Sequence, residues 1–335
     1  MKAAIYLLLA TAAHAQPINS MEAKKLMRQP VLSVFSKAEP GPSGDKHDYV
    51  SYAPYWWPDP AQPNGLPYIR KDGHTNRELV AQGDANNYST TAHTIRRLTD
   101  AFIATTEPEF ADNAVRRITV WFLDPKTRMN PHLNYGQIVK GRNDGRAEGL
   151  ITMRAMIEIL DSIRDLDKLK AWPAVEDKAM REWMTAYHKW LTTGEIGVKE
   201  SQARNNHGSW YAAQAMRIEV YLGLKPQAKK RAEELKKRIA WQFQPDGTQP
   251  LEAARADGYS YSVFNLEALA NAAAIAKPLG VDLWKFQTAD GRGMFKAFQY
   301  LLPYASGSQP WPGGQLKKIA PDSLAKVREL YEARQ

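Results

Sequence analysis

Apolar residues recur every three or four positions from about residue 84 to residue 302, and this periodicity restricts the possible folds more than any other feature of the chain. In the stretch 90–105, for example, Ala92, Ile95, Leu98 and Phe102 would form one apolar stripe along a helix. Strict alternation of apolar and polar residues, which would indicate strands, is rare. The pattern predicts helices over 90–105, 108–123, 147–164, 174–193, 208–222, 225–243, 261–278 and 292–302.

The predicted helices follow one another in pairs, joined by loops that carry glycine, proline and asparagine. An array of this length predicts an all-α fold, namely an (α/α) toroid or incomplete barrel of helical hairpins with a cleft at one end. The hairpins share no visible sequence identity, so any repeat is architectural. We therefore expect a single domain over residues 16–335.

The first fifteen residues predict a signal peptide. Lys2 precedes a short apolar run, and Ala13-His14-Ala15 is a small-x-small cleavage site, so we expect a cut after Ala15. The alternative is a buried N-terminal helix. No later segment approaches the roughly 20 apolar residues that a membrane helix needs. The mature protein is therefore expected in the periplasm or outside the cell, without membrane insertion.

The charge of the chain suggests a polyanionic partner. The formal net charge is +9, and it falls to +8 (9 − 1) when Lys2 leaves with the signal peptide. Export favours an acidic polysaccharide over nucleic acid as that partner; a merely solvated basic surface is the alternative. The absence of cysteine excludes thiolate chemistry and Cys-ligated zinc. The histidines show no HxH or HExxH spacing, so we expect no metal and no cofactor.

An aromatic, proline-rich segment precedes the helical region. Residues 49–60 read YVSYAPYWWPDP, and similar texture continues to residue 76. Because proline excludes a regular helix or a central strand, we predict a long structured N-terminal loop. Tyr55 and Trp56 could pack on sugar rings. Alternatively, the segment is a strap whose aromatic rings pack against the barrel.

The motif Asn205-Asn206-His207 stands just before the predicted helix 208–222. Either asparagine could cap that helix, and His207 would then project from the first turn. The positive end of a helix attracts anions, which makes this a candidate site. The alternative is a capping cluster with a surface histidine.

A second candidate segment covers residues 246–265. It contains Arg255, which precedes Tyr261 by six residues, and Tyr261 begins an apolar helix. Both side chains are therefore expected in one loop and helix-start region. The alternative is that Tyr261 is a core residue and that Arg255 pairs with Glu252.

A third candidate is the polar loop at residues 130–137. It contains His132, Asn134 and Gln137 between two predicted helices. The alternative is a plain connection between those helices.

An amide, an imidazole, a guanidinium and a phenol are suited to β-elimination on a uronic acid polymer. Loss of the C5 proton leaves a carbanion, which is stabilised when donors such as Asn206, His207 and Arg255 neutralise the adjacent carboxylate. A base takes the C5 proton and an acid protonates the leaving O4. Tyr261 could do both if nearby cations lower its pKa from ~10, or His207 could be the base.

These motifs resemble the alginate lyase superfamily of helical-toroid polysaccharide lyases. The resemblance rests on Asn-Asn-His followed by Trp210-Tyr211-Ala212, on GTQPLEAAR at 247–255 and on YSVFNL at 261–266. The aromatic segment and DGHTN at 72–76 are more similar to the branch that acts on alginate or glucuronan than to the mannuronate lyases. The resemblance covers about residues 49–305, and it implies an (α/α) barrel and β-elimination.

On matching positions, the resemblance implies that Asn206 and Arg255 help neutralise the carboxylate. It implies that Tyr261, with or without His207, moves protons. The loop from His132 to Gln137 matches a substrate-lining loop. One departure stands where the family often has a second arginine or a similar polar residue: this chain has Asp257 and Tyr259 there, and Tyr259 competes with Tyr261 as a candidate.

Three functions are therefore weighed. The first is a polyuronate lyase, with mannuronate-rich alginate ahead of glucuronan as substrate. The second is a toroid glycoside hydrolase, which would need two carboxylates such as Glu252 with Asp257 or Asp84. The third is a non-catalytic protein that binds acidic glycans through the aromatic segment.

Overall fold

The structure is a computed structural model that describes residues 18–333 of the 335-residue chain. The predicted signal peptide and its cleavage site lie outside the described residues. Within them, no helix is long and apolar enough to cross a membrane. The α-helices are α1 (Ser20–Met27), α2 (Arg77–Val80), α3 (Ala85–Thr105), α4 (Pro108–Ile118), α5 (Met156–Lys168), α6 (Ala174–Thr193), α7 (Glu195–Ser201), α8 (Asn206–Tyr221), α9 (Lys225–Gln242), α10 (Pro250–Ala253), α11 (Gly258–Ala276), α12 (Met294–Ala305) and α13 (Ala325–Glu332).

The predicted all-α class is confirmed, and each predicted stretch is largely helical. The stretch 174–193 coincides with α6. Two stretches are only partly α-helical: 108–123 ends in a π-helical turn over Thr119–Leu123, and 147–164 begins with a 3-10 helix over Ala147–Ala155. The periodicity did not predict the short helices α1, α7 and α13, because seven or eight residues hold too few apolar positions for a pattern.

Helix α8 is the inner helix of the array. It packs against α5, α6, α7, α9 and α11, and every residue from Gly208 to Glu219 is buried. Its Tyr211 and Ile218 belong to the hydrophobic cluster built around α3–α6, while Trp210 and Met216 belong to the cluster built around α9–α12. Helix α8 therefore joins the two halves of the core, and its first turn is held from several sides.

The aromatic segment is ordered by short strands. Strand β1 (Val50–Tyr52) pairs in parallel with β4 (Tyr135–Ile138), and β2 (Trp56–Trp57) pairs antiparallel with β3 (Ile69–Arg70). The start of the aromatic segment packs against the barrel, as the strap alternative predicted, because Tyr49 is fully buried in the core. Its middle, around Trp56, reaches the cleft described below.

Candidate active site

A cleft of about 660 Å³ opens at the start of helix α8, beside the first turns of α11. The 3-10 helix Ala147–Ala155, the segment that follows α7 and the aromatic segment complete its walls. The start of a helix carries partial positive charge, which favours an anionic occupant. The polar and aromatic side chains that line the cleft are Tyr55, Trp56, Arg70, Gln137, Arg146, Glu148, Arg154, Lys199, Glu200, Gln202, Arg204, Asn205, Asn206, His207, Arg255, Tyr261 and Phe264.

The first turn of α8 fixes Asn206. Asn205 is the cap of α8, and its side-chain oxygen accepts from the backbone N–H of His207 at 3.2 Å. Asn206 is buried and donates its backbone N–H to Glu252 Oε1 at 2.6 Å and its Nδ2 to Glu252 Oε2 at 2.7 Å. Burial raises the pKa of Glu252, while the hydrogen bonds from Asn206 oppose that rise. Glu252 therefore orients Asn206 instead of pairing with Arg255.

His207 is oriented by a buried carboxylate. Its Nδ1 lies 2.7 Å from Glu200 Oε1, on helix α7. Burial raises the pKa of Glu200, and the hydrogen bond with His207 opposes the rise. When Nδ1–H donates to Glu200, the lone pair of Nε2 is free to accept a proton. The pair thus has the arrangement of a general base held by a carboxylate.

Arg255 is held by the aromatic segment and covers Tyr261. Its Nε donates to Asp72 Oδ2 at 3.0 Å and its Nη2 donates to Asp72 Oδ1 at 2.7 Å. This bidentate pair holds the pKa of Asp72 well below its ordinary value. The guanidinium carbon of Arg255 lies 3.7 Å from the centre of the Tyr261 ring. Asp72, in the aromatic segment, therefore fixes the position of Arg255, and Arg255 in turn covers the ring of Tyr261.

The hydroxyl of Tyr261 donates to the hydroxyl of Tyr55 at 2.7 Å. Burial raises the pKa of Tyr261 above its ordinary value, and the Tyr55 hydrogen bond adds to the rise, although Arg255 opposes it. The condition predicted for Tyr261 from the sequence is therefore only partly met in the unliganded protein: the cation Arg255 lowers this pKa, but burial and Tyr55 outweigh it. The physical reason is that the carboxylate of Asp72 offsets the charge of Arg255 and that the phenol lies in a desolvated position.

Trp56 and Gln137 form another part of the wall with Arg146. The guanidinium carbons of Arg142 and Arg146 lie 5.1 Å and 5.9 Å from the Trp56 ring centre. Gln137 has a left-handed backbone (φ 52°), and its Oε1 accepts from Arg146 Nη2 at 2.6 Å. A strained backbone of this kind persists only where its surroundings hold it, and such residues are frequent at functional sites.

Three predicted substrate-binding residues do not line the cleft. His132 Nε2 lies 3.2 Å from Asp48 Oδ1. Asn134 Oδ1 accepts a hydrogen bond from the indole N–H of Trp190 at 2.9 Å. Tyr259 is 1% exposed and hydrogen-bonds to Ser323 at 2.7 Å. Tyr259 lies two residues before Tyr261 on a helix, which turns it to a different face, towards the core.

The carboxylates nominated for a hydrolase do not flank the cleft. Glu252 is occupied by Asn206, as described above. Asp257 is buried and pairs with Lys317 at 3.3 Å, and Asp84 is buried and pairs with Lys37 at 3.2 Å. A glycosidase needs a pair of free carboxyl groups on either side of the scissile bond, and these three carboxylates do not supply one. The carboxylates that do line the cleft, Glu148 and Glu200, are paired with Arg146 and His207.

Sequence reasoning missed several residues of the site or its support, among them Asp72 as the partner of Arg255, Glu200 as the partner of His207, and the cleft arginines Arg146 and Arg154. Asp72 is separated from Arg255 by 183 positions, and no spacing rule reaches that far. Glu200 precedes His207 by seven residues, and its place on a helix of its own gave no signal. Within residues 18–333, no group of three or more His, Asp or Glu side chains could hold a metal ion.

The cleft is basic. Its lining contains the cations Arg70, Arg146, Arg154, Lys199, Arg204 and Arg255, against the two carboxylates of Glu148 and Glu200. An all-α toroid with such a cleft, lined by amide, imidazole, guanidinium and phenol groups, is the architecture of a polysaccharide lyase. The family model for alginate lyase matches residues 33–311, and the protein belongs to this family. The resemblance seen in the sequence is thereby confirmed.

Solved structures agree with this assignment. An alginate lyase from Bacteroides ovatus is 37% identical, with a TM-score of 0.86 over 93% of this chain and 82% of that one. Alginate lyase A1-III from Sphingomonas species A1 has the same fold at 15% identity, with a TM-score of 0.53 over 88% of this chain and 74% of that one. A variant of alginate lyase A1-III complexed with tetrasaccharide is 14% identical, with a TM-score of 0.53 over 93% and 78% of the two chains. No curated protein matches.

Proposed function

We propose that this lyase cleaves a polyuronate, with mannuronate-rich alginate as the preferred substrate, by β-elimination. The observation that carries the proposal is that Asn206, His207, Arg255 and Tyr261 line one basic cleft. The 37% identical structure is described as an alginate lyase, and a related enzyme of the same fold was captured with a tetrasaccharide. A cleft of about 660 Å³ has room for several sugar atoms around the scissile bond.

The carboxylate of the reacting sugar is neutralised by Asn206 and Arg255, which leaves His207 for proton transfer. Asn206 Nδ2 uses one N–H for Glu252, which leaves its second N–H for the substrate. Arg255 uses its Nε and Nη2 for Asp72, which leaves Nη1 for the substrate. Donors that are already oriented need no reorganisation when charge develops on the carboxylate, and this lowers the barrier.

Two residues transfer protons. His207 Nε2 takes the C5 proton, the electron pair of that bond forms the C4–C5 double bond, and the C4–O4 bond breaks. O4 takes the phenolic proton of Tyr261 and leaves as a hydroxyl. The raised pKa of Tyr261 supports the acid role, because the phenol keeps its proton in the free enzyme. Solvent then restores the proton on Tyr261 and removes the one on His207.

The direct test is a substrate panel followed by ultraviolet absorbance. Mannuronate-rich alginate, guluronate-rich alginate, glucuronan, pectate and heparinoids are each incubated with the protein, because elimination leaves an absorbing unsaturated uronate. We expect the fastest rise in absorbance with mannuronate-rich alginate. A faster rise with glucuronan would transfer the proposal to that substrate. Reducing ends without absorbance would indicate hydrolysis, and a blank across the panel would refute the proposal.

Tyr261→Phe tests the proton transfer. Loss of the acid should lower kcat by about 10²- to 10⁴-fold while the variant still binds the substrate. Tyr304→Phe is the matched control, because Tyr304 packs on Trp311 and does not line the cleft. Full turnover by Tyr261→Phe would remove the tyrosine from the mechanism.

We also propose that the protein is exported after a cut behind Ala15, to the periplasm or beyond. The support is the charged start, the apolar run and the small-x-small site of the sequence. N-terminal sequencing of protein recovered from the periplasm and medium should give Gln16 as the first residue. An intact Met1 on the exported protein would refute the cut.

A further inference from the structure

Arg154 lies beside the second turns of α8 and α11. Its guanidinium carbon is 5.3 Å from the ring centre of Phe264 and 6.0 Å from that of Trp210. Trp210 follows Asn206 by four residues, and Phe264 follows Tyr261 by three, which is about one helical turn in each case. Arg154 is therefore about one turn, roughly 5 Å, further along both helices than the proposed catalytic side chains.

The positive charge of Arg154 lacks a close counter-ion. Among residues 18–333, the acceptor of its guanidinium is the carbonyl oxygen of Ile151, at 3.1 Å from Nη1, and no ion pair within 4.0 Å is formed. Glu267 interacts with it only at longer range, and burial raises the pKa of Glu267. By contrast, Arg255 forms an ion pair with Asp72. Arg146 donates a hydrogen bond to Gln137 and forms an ion pair with Glu148.

The setting of Arg154 suits a carboxylate ligand. Its guanidinium is within cation–π distance of Phe264 and Trp210, two rings that also pack on each other with their centres 5.2 Å apart. Aromatic rings attract a guanidinium without accepting a hydrogen bond from its N–H groups in the plane of the group. One edge donor is used for Ile151, and the others are available for a bidentate contact. Partial burial strengthens such a contact, because less water competes for it.

We propose that Arg154 forms a second carboxylate-binding site in the cleft, which holds a uronate carboxylate of the bound polymer other than the one at the reacting sugar. The proposal rests on the proposed function for the identity of the ligand. It implies that the enzyme favours chains in which neighbouring sugars both carry carboxylates. Because this contact is equally strong before and during the reaction, its loss should raise KM and change kcat little.

Equilibrium binding tests the site without turnover. Calorimetry would use saturated tetrasaccharides of mannuronate, guluronate and glucuronate, with Tyr261→Phe as the parent protein. Adding Arg154→Met should weaken binding by about tenfold to a hundredfold, as expected for a lost hydrogen bond to a charged group. Arg154→Lys should recover part of the affinity. Arg328→Met, at an exposed arginine of α13, is the matched control and should bind like the parent.

A second ligand separates charge recognition from packing. The same tetrasaccharides with their carboxyl groups reduced to alcohols should bind the parent and Arg154→Met equally weakly. An equal fold-loss for the acidic and the reduced ligands would overturn the proposal, because it would indicate a packing role on Trp210 and Phe264. Unchanged binding of the acidic ligands by Arg154→Met would also overturn it. Binding is measured independently of cleavage. If no substrate of the panel gave an absorbance rise but Arg154→Met still weakened binding of the acidic ligands, the proposed lyase activity would be refuted and the carboxylate-binding site would stand.

Discussion

Three of the four central side chains of the cleft are each held by an acidic residue from another element. The pairs are Asn206 with Glu252, His207 with Glu200, and Arg255 with Asp72. Each carboxylate fixes the direction in which its partner faces the cleft, and the first two carboxylates are buried. Pre-oriented donors contribute more to catalysis than the same groups free to turn, because no reorganisation is needed as charge develops. The acidic partners should therefore matter almost as much as the residues that touch the substrate.

Glu200→Gln tests this for His207. An amide cannot stabilise the imidazolium that forms when His207 accepts the C5 proton, so we expect kcat to fall on the order of a hundredfold with little change in KM. Steady-state kinetics by ultraviolet absorbance would measure both constants. Glu195→Gln is the matched control, since Glu195 is exposed on the same helix α7. An unchanged kcat for Glu200→Gln would mean that His207 does not act as the base.

Tyr55→Phe tests the state of the general acid. The acid must be protonated, so activity falls as the pH rises through its pKa. The hydrogen bond between Tyr261 and Tyr55 is one cause of the raised pKa of Tyr261. Removing the Tyr55 hydroxyl should therefore move the alkaline limb of the kcat/KM profile to lower pH, while burial keeps it above neutral. A limb that stays in place, or moves upward, would contradict the assignment of Tyr261 as acid.

At this scale the sequence predicted residues that line the cleft better than it predicted the carboxylates that hold them. Asn206, His207, Arg255 and Tyr261 belong to short local motifs. A cap by one of the two asparagines was predicted from their position before a helix, and the structure assigns it to Asn205. The pairing of Arg255 with Asp72 depends on how the aromatic segment folds over the helices, and no local rule contains that information. Tyr259 belongs to the same local motif as Tyr261 but is buried in the core, because packing decides which face of a helix lies towards the cleft.

The elements themselves depend on a few polar contacts at their ends. Asn205→Ala removes the side-chain acceptor at the start of α8, where Asn205 bonds to the N–H of His207. We expect a loss of about 1 kcal/mol in the free energy of unfolding, within the 0.5–2 kcal/mol typical of such caps. Chemical denaturation would measure it. Asn205→Ser, which keeps an acceptor, should restore most of the loss, and equal losses for both variants would contradict a capping role.

A buried ion pair anchors the start of α3. Lys37 and Asp84 are fully buried 3.2 Å apart, and Asp84 Oδ2 also accepts from the backbone N–H of Val50 at 2.9 Å. Lys37→Met leaves the carboxylate without its counter-ion and should cost about 3–5 kcal/mol. The double variant Lys37→Met with Asp84→Asn should be less destabilised than the sum of the two single variants. Strict additivity in the denaturation cycle would show that the pair is not coupled.

Element prediction succeeded where the apolar pattern was long and failed where it was short. Helix α6 was predicted to the residue, because twenty residues give a clear period. The stretch 147–155 was predicted as α-helix but forms a 3-10 helix. There, Gly136 and Gly149 approach each other so closely that an added Cβ on Gly149 would lie 2.5 Å from the Gly136 carbonyl carbon. Such contacts between distant loops decide local geometry and are not visible in periodicity.

Across the whole molecule, charge is the property that sequence and structure share. The net charge of +9 suggested a polyanion, and the structure concentrates six cations against two carboxylates at one cleft. A concave surface of one sign raises the local concentration of an oppositely charged ligand and speeds its association. Folding therefore concentrates part of the excess positive charge at the cleft, where it produces a local electrostatic field. Sequence alone could not locate this field, because Arg70, Arg146 and Arg204 come together only after folding.

The strength of this field predicts how the enzyme responds to salt. The Debye length falls from about 30 Å at 0.01 M to about 8 Å at 0.15 M ionic strength, so long-range attraction weakens steeply over that range. Over that range we expect kcat/KM on a polyuronate to fall roughly tenfold, because KM rises while kcat stays nearly constant.

Two lysine variants locate the source of the salt effect. Lys199→Gln, at an exposed lysine of the cleft, should show a shallower dependence of log kcat/KM on ionic strength than the wild type. Lys277→Gln should keep the wild-type slope, because Lys277 lies at the far end of α11, roughly 24 Å from Tyr261 (16 residues at 1.5 Å). Both variants lose one charge, so net charge alone predicts equal slopes. Different slopes would therefore place the attraction at the cleft, whereas equal slopes would assign it to the whole surface.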